Sequence, residues 1–221
     1  MERNRIPFAL TAGFLAMEGG LYAGFLMLDG LGRTEFSIAL KYAGILLCLT
    51  FALLSAARGG DWLIPTDLAF TAGADWFLLV RNDCYAVGVA LFVCVQTVYY
   101  LRLRRLGAKN GSWLRSGLAL CAGAGLYLLK LAQPLNLLAG LYFSQLLSNT
   151  IIAWTLRGKR NRLFAVGLTL FVGCDVCVGL FHVLPPDVPA YHGVAVGMWA
   201  FYLPSQVLIA LSARPEQEEV P

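Results

Sequence analysis

Eight long apolar stretches, separated by short polar or turn-rich links, dominate this sequence of 221 residues. A membrane-spanning helix needs about 20 mostly apolar residues. The chain is 58% hydrophobic and only 14% charged, whereas a soluble domain is roughly one-quarter charged. The sequence therefore predicts an all-α, polytopic membrane helix bundle with about eight transmembrane helices, at about residues 6–28, 36–56, 62–80, 84–101, 113–130, 135–156, 162–182 and 191–212. Because spans and links use nearly the whole chain, we expect residues 1–221 to form a single integral membrane domain.

The basic residues indicate how the helices are oriented. If the N-terminus is cytoplasmic, thirteen of the 17 lysines and arginines fall on the inner side. Only Arg33, Arg81 and Lys130 fall on the outer side, and Lys41 falls within a span. Cytoplasmic loops carry an excess of Lys and Arg, so the asymmetry predicts that both termini are cytoplasmic. Topology also accounts for the net charge of +4, so we expect no nucleic-acid partner. The expected location is a bacterial cytoplasmic membrane.

Two aspartates stand inside apolar sequence. Asp75 follows Gly73 in the third stretch, and Asp175 follows Gly173 in the seventh, so both have a Gly-x-Asp pattern. An intramembrane carboxylate costs a few kcal/mol or more and normally faces a bundle interior or a wet cavity. Both stretches run outward in the predicted topology, which puts the two aspartates at matching depth. The pattern predicts one shared polar site, which is either functional or a structural hydrogen-bond network.

Other polar side chains are predicted near the same depth. Lys41, in the second stretch, either neutralises a carboxylate or binds a phosphate group. Tyr202 and Gln206 are one helical turn apart in the last stretch and face the same way. Pro204 lies between them and should weaken the local hydrogen-bond ladder of the helix. A satisfied interhelical hydrogen bond is the structural alternative for this pair.

Three amide side chains fall near the middle of the membrane. Gln96 lies in the fourth stretch, and Gln145 and Asn149 lie four residues apart in the sixth. Residues at that spacing stack on one face of a helix. Asp67, close to the predicted inner interface, is interpreted as structural.

No metal site and no cofactor are predicted. Cys174 and Cys177 form a C-x-x-C, but no second ligand pair accompanies them, and a buried Cys usually behaves as a small hydrophobe. His182 and His192 flank the outer loop that contains Asp187. A metal there would need further ligands, so we interpret both histidines as interfacial. Walker A, G-x-S-x-G and H-E-x-x-H motifs are absent from the sequence.

Short motifs follow one another in a distinctive order. They comprise Lys41; Gly73, Asp75 and Leu78; Gly88, Phe92, Gln96 and Tyr99; Gly167, Phe171, Cys174 and Asp175; and Tyr202, Leu203, Ser205, Gln206, Leu208 and Ile209. In this order, over about residues 38–212, the sequence resembles the YhhN, or lysoplasmalogenase-like, family of membrane proteins. It departs from the family pattern at Gln96, Cys174 and Tyr42, where the family has histidine, serine and proline.

The resemblance implies a hydrolase that cleaves the vinyl ether bond of lysoplasmalogens to a fatty aldehyde and a glycerophospho-alcohol. The implied partners are a lysophospholipid substrate and bilayer lipid. Asp75 and Asp175 would be the catalytic residues: one carboxyl protonates carbon, and the other positions water and stabilises positive charge. The residues implied to bind substrate are Lys41, Gln96, Tyr202 and Gln206.

Two other interpretations fit the same residues. A small proton-coupled transporter would also use intramembrane carboxylates, a lysine and a proline-interrupted helix. A family member that has lost the hydrolase activity would keep the polar network for structural reasons alone.

Overall fold

A computed structural model describes residues 6–215 of the chain. Arg3 and Arg5, which contribute to the charge asymmetry, lie outside the described residues. The described part contains eight α-helices and no strand, which confirms the predicted all-α fold. The helices are α1 (Phe8–Gly30), α2 (Thr34–Ala56), α3 (Leu63–Asp75), α4 (Tyr85–Arg105), α5 (Ser112–Leu128), α6 (Pro134–Ala153), α7 (Lys159–Val183) and α8 (Ala190–Leu211).

Seven helical segments in the described chain are long and apolar enough to cross a membrane. The protein is therefore an integral, multi-pass membrane protein. The exception is α5, which has 17 residues. At 1.5 Å per residue it is about 26 Å long, against a hydrocarbon core of about 30 Å. Whether α5 spans the membrane stays a prediction, as does the cytoplasmic location of both termini.

Glycine and proline mark where the helices begin and end. Gly107 follows α4 with φ 82°, and Gly158 precedes α7 with φ 105°. These positive φ angles are open to glycine at little cost. Pro134 is the first residue of α6, a position where its missing N–H is not needed for helical hydrogen bonding. The links between the predicted stretches are thus the places where the backbone turns.

Six helices form a closed ring. In the order α2, α3, α4, α6, α7 and α8, each helix packs on the next, and α8 packs on α2. Helix α3 also contacts α8 across the ring, and α1 packs outside on α2 and α8. The backbone of α5 approaches only that of α6 among the described helices. The ring therefore gathers the inward-facing side chains of helices that are far apart in the sequence.

A π-helical turn follows α3 directly. It spans Trp76–Arg81, where the sequence predicted an unbroken helix to residue 80. Gly88 of α4 lies against this turn, and a Cβ at Gly88 would overlap the side chain of Leu78. Single π-helical turns are rare in proteins, and those that occur are often found at functional sites. Here the turn begins at the residue after Asp75.

Helices α7 and α8 approach closely through small residues. A Cβ on Gly167 would stand 2.9 Å from the side chain of Ile209 and 3.1 Å from the carbonyl oxygen of Ser205. A Cβ on Gly173 would stand 3.3 Å from the ring of Phe201. Small residues let membrane helices pack backbone to backbone. This close packing brings the backbone of α7 against α8.

An ion pair joins the helix ends where α3 begins and α4 and α8 end. The Asp61 carboxylate accepts hydrogen bonds from Nε of Arg102 at 2.9 Å and from the backbone N–H of Leu63 at 3.1 Å. The backbone N–H of Asp61 donates to the carbonyl of Ala213 at 2.9 Å. Nη2 of Arg102 donates to the carbonyl of Ser212 at 3.3 Å. We call this group the Asp61–Arg102 clamp, since it ties together three helix ends.

Candidate functional site

Asp75 is the last residue of α3 and is 5% exposed. Its Oδ2 accepts a hydrogen bond of 2.8 Å from the hydroxyl of Tyr202 on α8. Tyr42 of α2 also lies near this carboxyl group, and its hydroxyl donates to the carbonyl of Ala72 at 3.3 Å. Three helices of the ring therefore meet at Asp75.

Asp175 occupies the facing side of the site, on α7. Tyr142 of α6 lies close to its carboxyl group. Among the described residues, neither Oδ2 of Asp175 nor the buried hydroxyl of Tyr142 has a hydrogen bond within 3.5 Å. A buried polar atom without a partner costs about 1–3 kcal/mol. The Tyr142 hydroxyl and the Asp175 carboxyl group are neighbours, so a water or a substrate oxygen bound between them would give both atoms a partner.

Aromatic rings and a thiol connect the two aspartates. The ring of Phe171 lies 5.4 Å from that of Tyr202 and 6.5 Å from that of Tyr142. Cys174, one turn further along α7, is close enough to interact electrostatically with both carboxyl groups. The structure thus brings the predicted catalytic residues to one group of side chains. We call it the carboxylate cluster: Asp75, Asp175, Tyr142, Tyr202 and Cys174.

Lys41 neutralises a carboxylate, but the partner is Asp29 at the end of α1. The Nζ–Oδ2 distance is 2.8 Å. The ammonium also lies 5.3 Å from the ring centroid of Phe25 and 5.0 Å from that of Trp199. Trp199 packs edge-on against Tyr202 at 5.2 Å. Lys41 is therefore separated from the carboxylate cluster by aromatic rings, and its role in binding phosphate stays a prediction.

The two glutamines form no hydrogen bond with the aspartates among the described residues. Gln206 is fully buried, its Nε2 donates to Oγ of Ser205 at 3.4 Å, and its Oε1 has no partner in the described chain. Oε1 of Gln96 accepts a hydrogen bond of 2.9 Å from Asn149 of α6. That Gln96 and Gln206 bind substrate stays a prediction.

Sequence reasoning missed two residues of the site, Tyr142 and Asp29. Tyr142 stands three residues before Gln145, which is about one helical turn from the predicted face of Gln145 and Asn149. That spacing was a usable signal. Asp29 follows an apolar stretch directly and resembles an ordinary interfacial carboxylate, so its pairing with Lys41 depends on how α1 packs against α2.

The family model of YhhN matches residues 36–213. The chain belongs to the YhhN family. The YhhN match contains every member of the carboxylate cluster, as well as Lys41, and leaves α1 with Asp29 outside it. No curated protein and no solved structure matches the chain. The YhhN assignment therefore depends on the family match together with the motifs in the sequence.

Proposed function

We propose that this YhhN membrane protein is a lysoplasmalogenase-like hydrolase that cleaves the vinyl ether bond of a lysophospholipid. One observation carries the proposal: Asp75, which is buried, and Asp175, which is half-buried, lie on different helices of the ring in the same carboxylate cluster, and neither forms an ion pair among the described residues. Paired carboxyl groups without a cation suit chemistry in which one gives a proton and the other assists water.

The reaction proceeds by proton transfer to carbon. One carboxyl group donates its proton to the alkene carbon remote from the ether oxygen, which leaves an oxocarbenium ion at the other carbon. Water adds there and gives its proton to the second carboxylate. The hemiacetal then collapses: the second carboxyl group gives its proton to the glycerol oxygen, which leaves as an alcohol, the first carboxylate takes the hydroxyl proton, and the remaining carbons leave as a fatty aldehyde. Both carboxyl groups are then back in their starting protonation states, so the overall reaction adds one water.

The tyrosines and Gln206 position these groups. The Tyr202 hydroxyl holds Oδ2 of Asp75 at 2.8 Å, which orients one carboxyl group. The Tyr142 hydroxyl and Oε1 of Gln206, both without a described partner, can bind the attacking water or a glycerol oxygen. Lys41 would bind the headgroup phosphate by exchanging its contact with Asp29. The substrate reaches the ring sideways from the lipid of a bacterial cytoplasmic membrane.

Aldehyde release by the purified protein in detergent tests the proposal. A vinyl-ether lysolipid should yield aldehyde and glycerophospho-alcohol in equal amounts, whereas the matched saturated-ether lysolipid should yield neither. In D₂O, with immediate reduction of the aldehyde, the product should carry one deuterium on the carbon next to the former carbonyl. Absence of aldehyde from the vinyl ether, or its release without that deuterium, would refute the proposed reaction.

Transport is a second candidate, because α3 carries another buried carboxyl group. Asp67 is fully buried two turns before Asp75, and neither of its oxygens has a partner among the described residues. Carboxyl groups at two depths on one helix suit a proton pathway. Proton flux into liposomes that falls in Asp67→Asn, from protein that releases no aldehyde, would favour transport over hydrolysis.

A further inference from the structure

A cavity of ≈ 280 Å³ lies where α4, α5 and α6 meet, outside the carboxylate cluster. Its lining includes Gln96, Tyr100, Arg115, Ser116 and Gln145. The backbones of α4 and α5 do not approach each other closely, and the two helices meet through the side chains of Arg115 and Tyr100. The cavity therefore opens between two helices, near the link that joins them.

Arg115 brings a positive charge into this cavity without a carboxylate partner. Its Nη1 donates to Oε1 of Gln145 at 3.1 Å, and its Nη2 donates to Oδ1 of Asn149 at 2.6 Å. Its Nε donates to the carbonyl of Asn110 at 3.4 Å, and the guanidinium lies 4.6 Å from the ring centroid of Tyr100. No described carboxylate pairs with it. A guanidinium has five N–H donors, so two remain after these three bonds.

Gln96 supplies a second, independent donor. The residue is 2% exposed, and Asn149 holds its Oε1 at 2.9 Å. Gln96 lines the cavity, and its buried Nε2 has no acceptor among the described residues. A buried amide N–H without an acceptor is unfavourable. An oxygen-rich anion in the cavity would satisfy this amide and the remaining Arg115 donors together.

We propose that the cavity binds the phosphate group of a membrane phospholipid. Arg115 lies one turn inside α5, close in sequence to Arg104 and Arg105 at the end of α4 and to Lys109 in the link. Clustered basic residues mark the membrane interface where lipid phosphates lie. At ≈ 280 Å³ the cavity holds a headgroup rather than a whole lipid. Exposed apolar side chains on both flanking helices, such as Leu101 and Leu120, would contact the acyl chains. This site does not depend on the proposed hydrolase.

Thermal unfolding in a non-ionic detergent tests the site with three probes. Dioleoylphosphatidylglycerol contains phosphate and two acyl chains but no vinyl ether, so the proposed hydrolase cannot cleave it. It should raise the unfolding temperature in a saturable way, because a ligand of the native state stabilises it. Dioleoylglycerol and inorganic phosphate should not. Equal stabilisation by inorganic phosphate would assign the cavity to a free anion, and equal stabilisation by dioleoylglycerol would assign it to apolar contact; either overturns the proposal.

Two variants separate this cavity from general attraction to anionic lipid. Arg115→Gln removes the charge. Ser116→Asp keeps Arg115 but places a carboxylate in the cavity, which would repel a phosphate and compete for the remaining Arg115 donors. Each should weaken the lipid titration at least tenfold. Ser116→Asn, which is similar in size and uncharged, should stay within about threefold of the wild type. If Arg115→Gln does not fold, Ser116→Asp decides alone, and wild-type affinity in that variant would refute the site.

Discussion

The carboxylate cluster and the Asp61–Arg102 clamp both bury charged side chains, but in opposite ways. In the clamp, Arg102 is fully buried, pairs with Asp61 at 2.9 Å and lies 4.2 Å from the ring centroid of Phe164. In the cluster, Asp75 and Asp175 have tyrosine neighbours and no described cation. In the clamp, each buried charge therefore has an opposite charge beside it, whereas in the cluster the carboxyl groups have none in the described part of the chain.

This difference distinguishes buried charged groups that stabilise the fold from those that are available for catalysis. Breaking a buried ion pair by removing one partner is strongly destabilising, because the other charge stays buried and unpaired. An uncompensated carboxyl group inside a membrane protein is costly without stabilising the fold in return. We therefore expect substitutions in the clamp to change stability and substitutions in the cluster to change activity.

The largest effect is expected from the two aspartates. Asp75→Asn and Asp175→Asn should each lower aldehyde release at least about 10³-fold, a barrier increase near 4 kcal/mol. Their unfolding temperatures in detergent should stay close to the wild type, since an amide keeps the size and most hydrogen bonds. Asp83→Asn is the matched control, because the side chain of Asp83 is 42% exposed and pairs with Arg81 outside the cluster. Near-normal turnover in either cluster variant would remove that residue from the mechanism.

Arg102→Met should show the reverse pattern. It leaves Asp61 buried without its main partner, and we expect the free energy of unfolding to fall by about 3 kcal/mol. Arg105 is the control: its side chain is 70% exposed and lies 3.8 Å from Asp61, so Arg105→Met should cost less than about 1 kcal/mol. Denaturant unfolding in detergent measures both. Equal stability of the two variants would show that the clamp does not hold the helix ends.

Tyr202→Phe probes a contact within the cluster. Loss of the 2.8 Å hydrogen bond to Asp75 should lower aldehyde release by about tenfold to a hundredfold, because the carboxyl group is less well oriented. Tyr85→Phe removes a comparable tyrosine hydrogen bond at an exposed position, to Asn82 at 2.8 Å, and should leave the rate unchanged. A wild-type rate in Tyr202→Phe would mean that the tyrosine only fills space beside Asp75.

Gln96→His should have the smallest effect. Wild type and variant should release aldehyde at rates within about tenfold, or 1.4 kcal/mol in barrier, if the aspartates carry the proton chemistry. An imidazole exchanges protons near neutral pH and an amide does not. An inactive wild type rescued by histidine would therefore transfer the acid role away from the aspartates and give the native protein another function.

Much of the fold was predictable because hydropathy is local. The stretch at about residues 84–101 corresponds to α4 (Tyr85–Arg105), and the stretch at 135–156 corresponds to α6 (Pro134–Ala153). The helical spacing of Gln145 and Asn149 placed both on one face, and Arg115 indeed binds both. The aspartates were identifiable too, since a carboxyl group in apolar sequence stands out in a single pass along the chain.

Only the tertiary structure decided which groups meet. Lys41 could have paired with either membrane aspartate, yet it pairs with Asp29 because α1 packs against α2. The π-helical turn after Asp75 packs Leu78 against Gly88 of α4, a contact between helices that no local pattern reports. Hydropathy and spacing depend on neighbours within a few residues, so the sequence by itself determined the helices and their polar faces. Partners on other helices depend on the order of the ring, which is set by packing between segments distant in the chain.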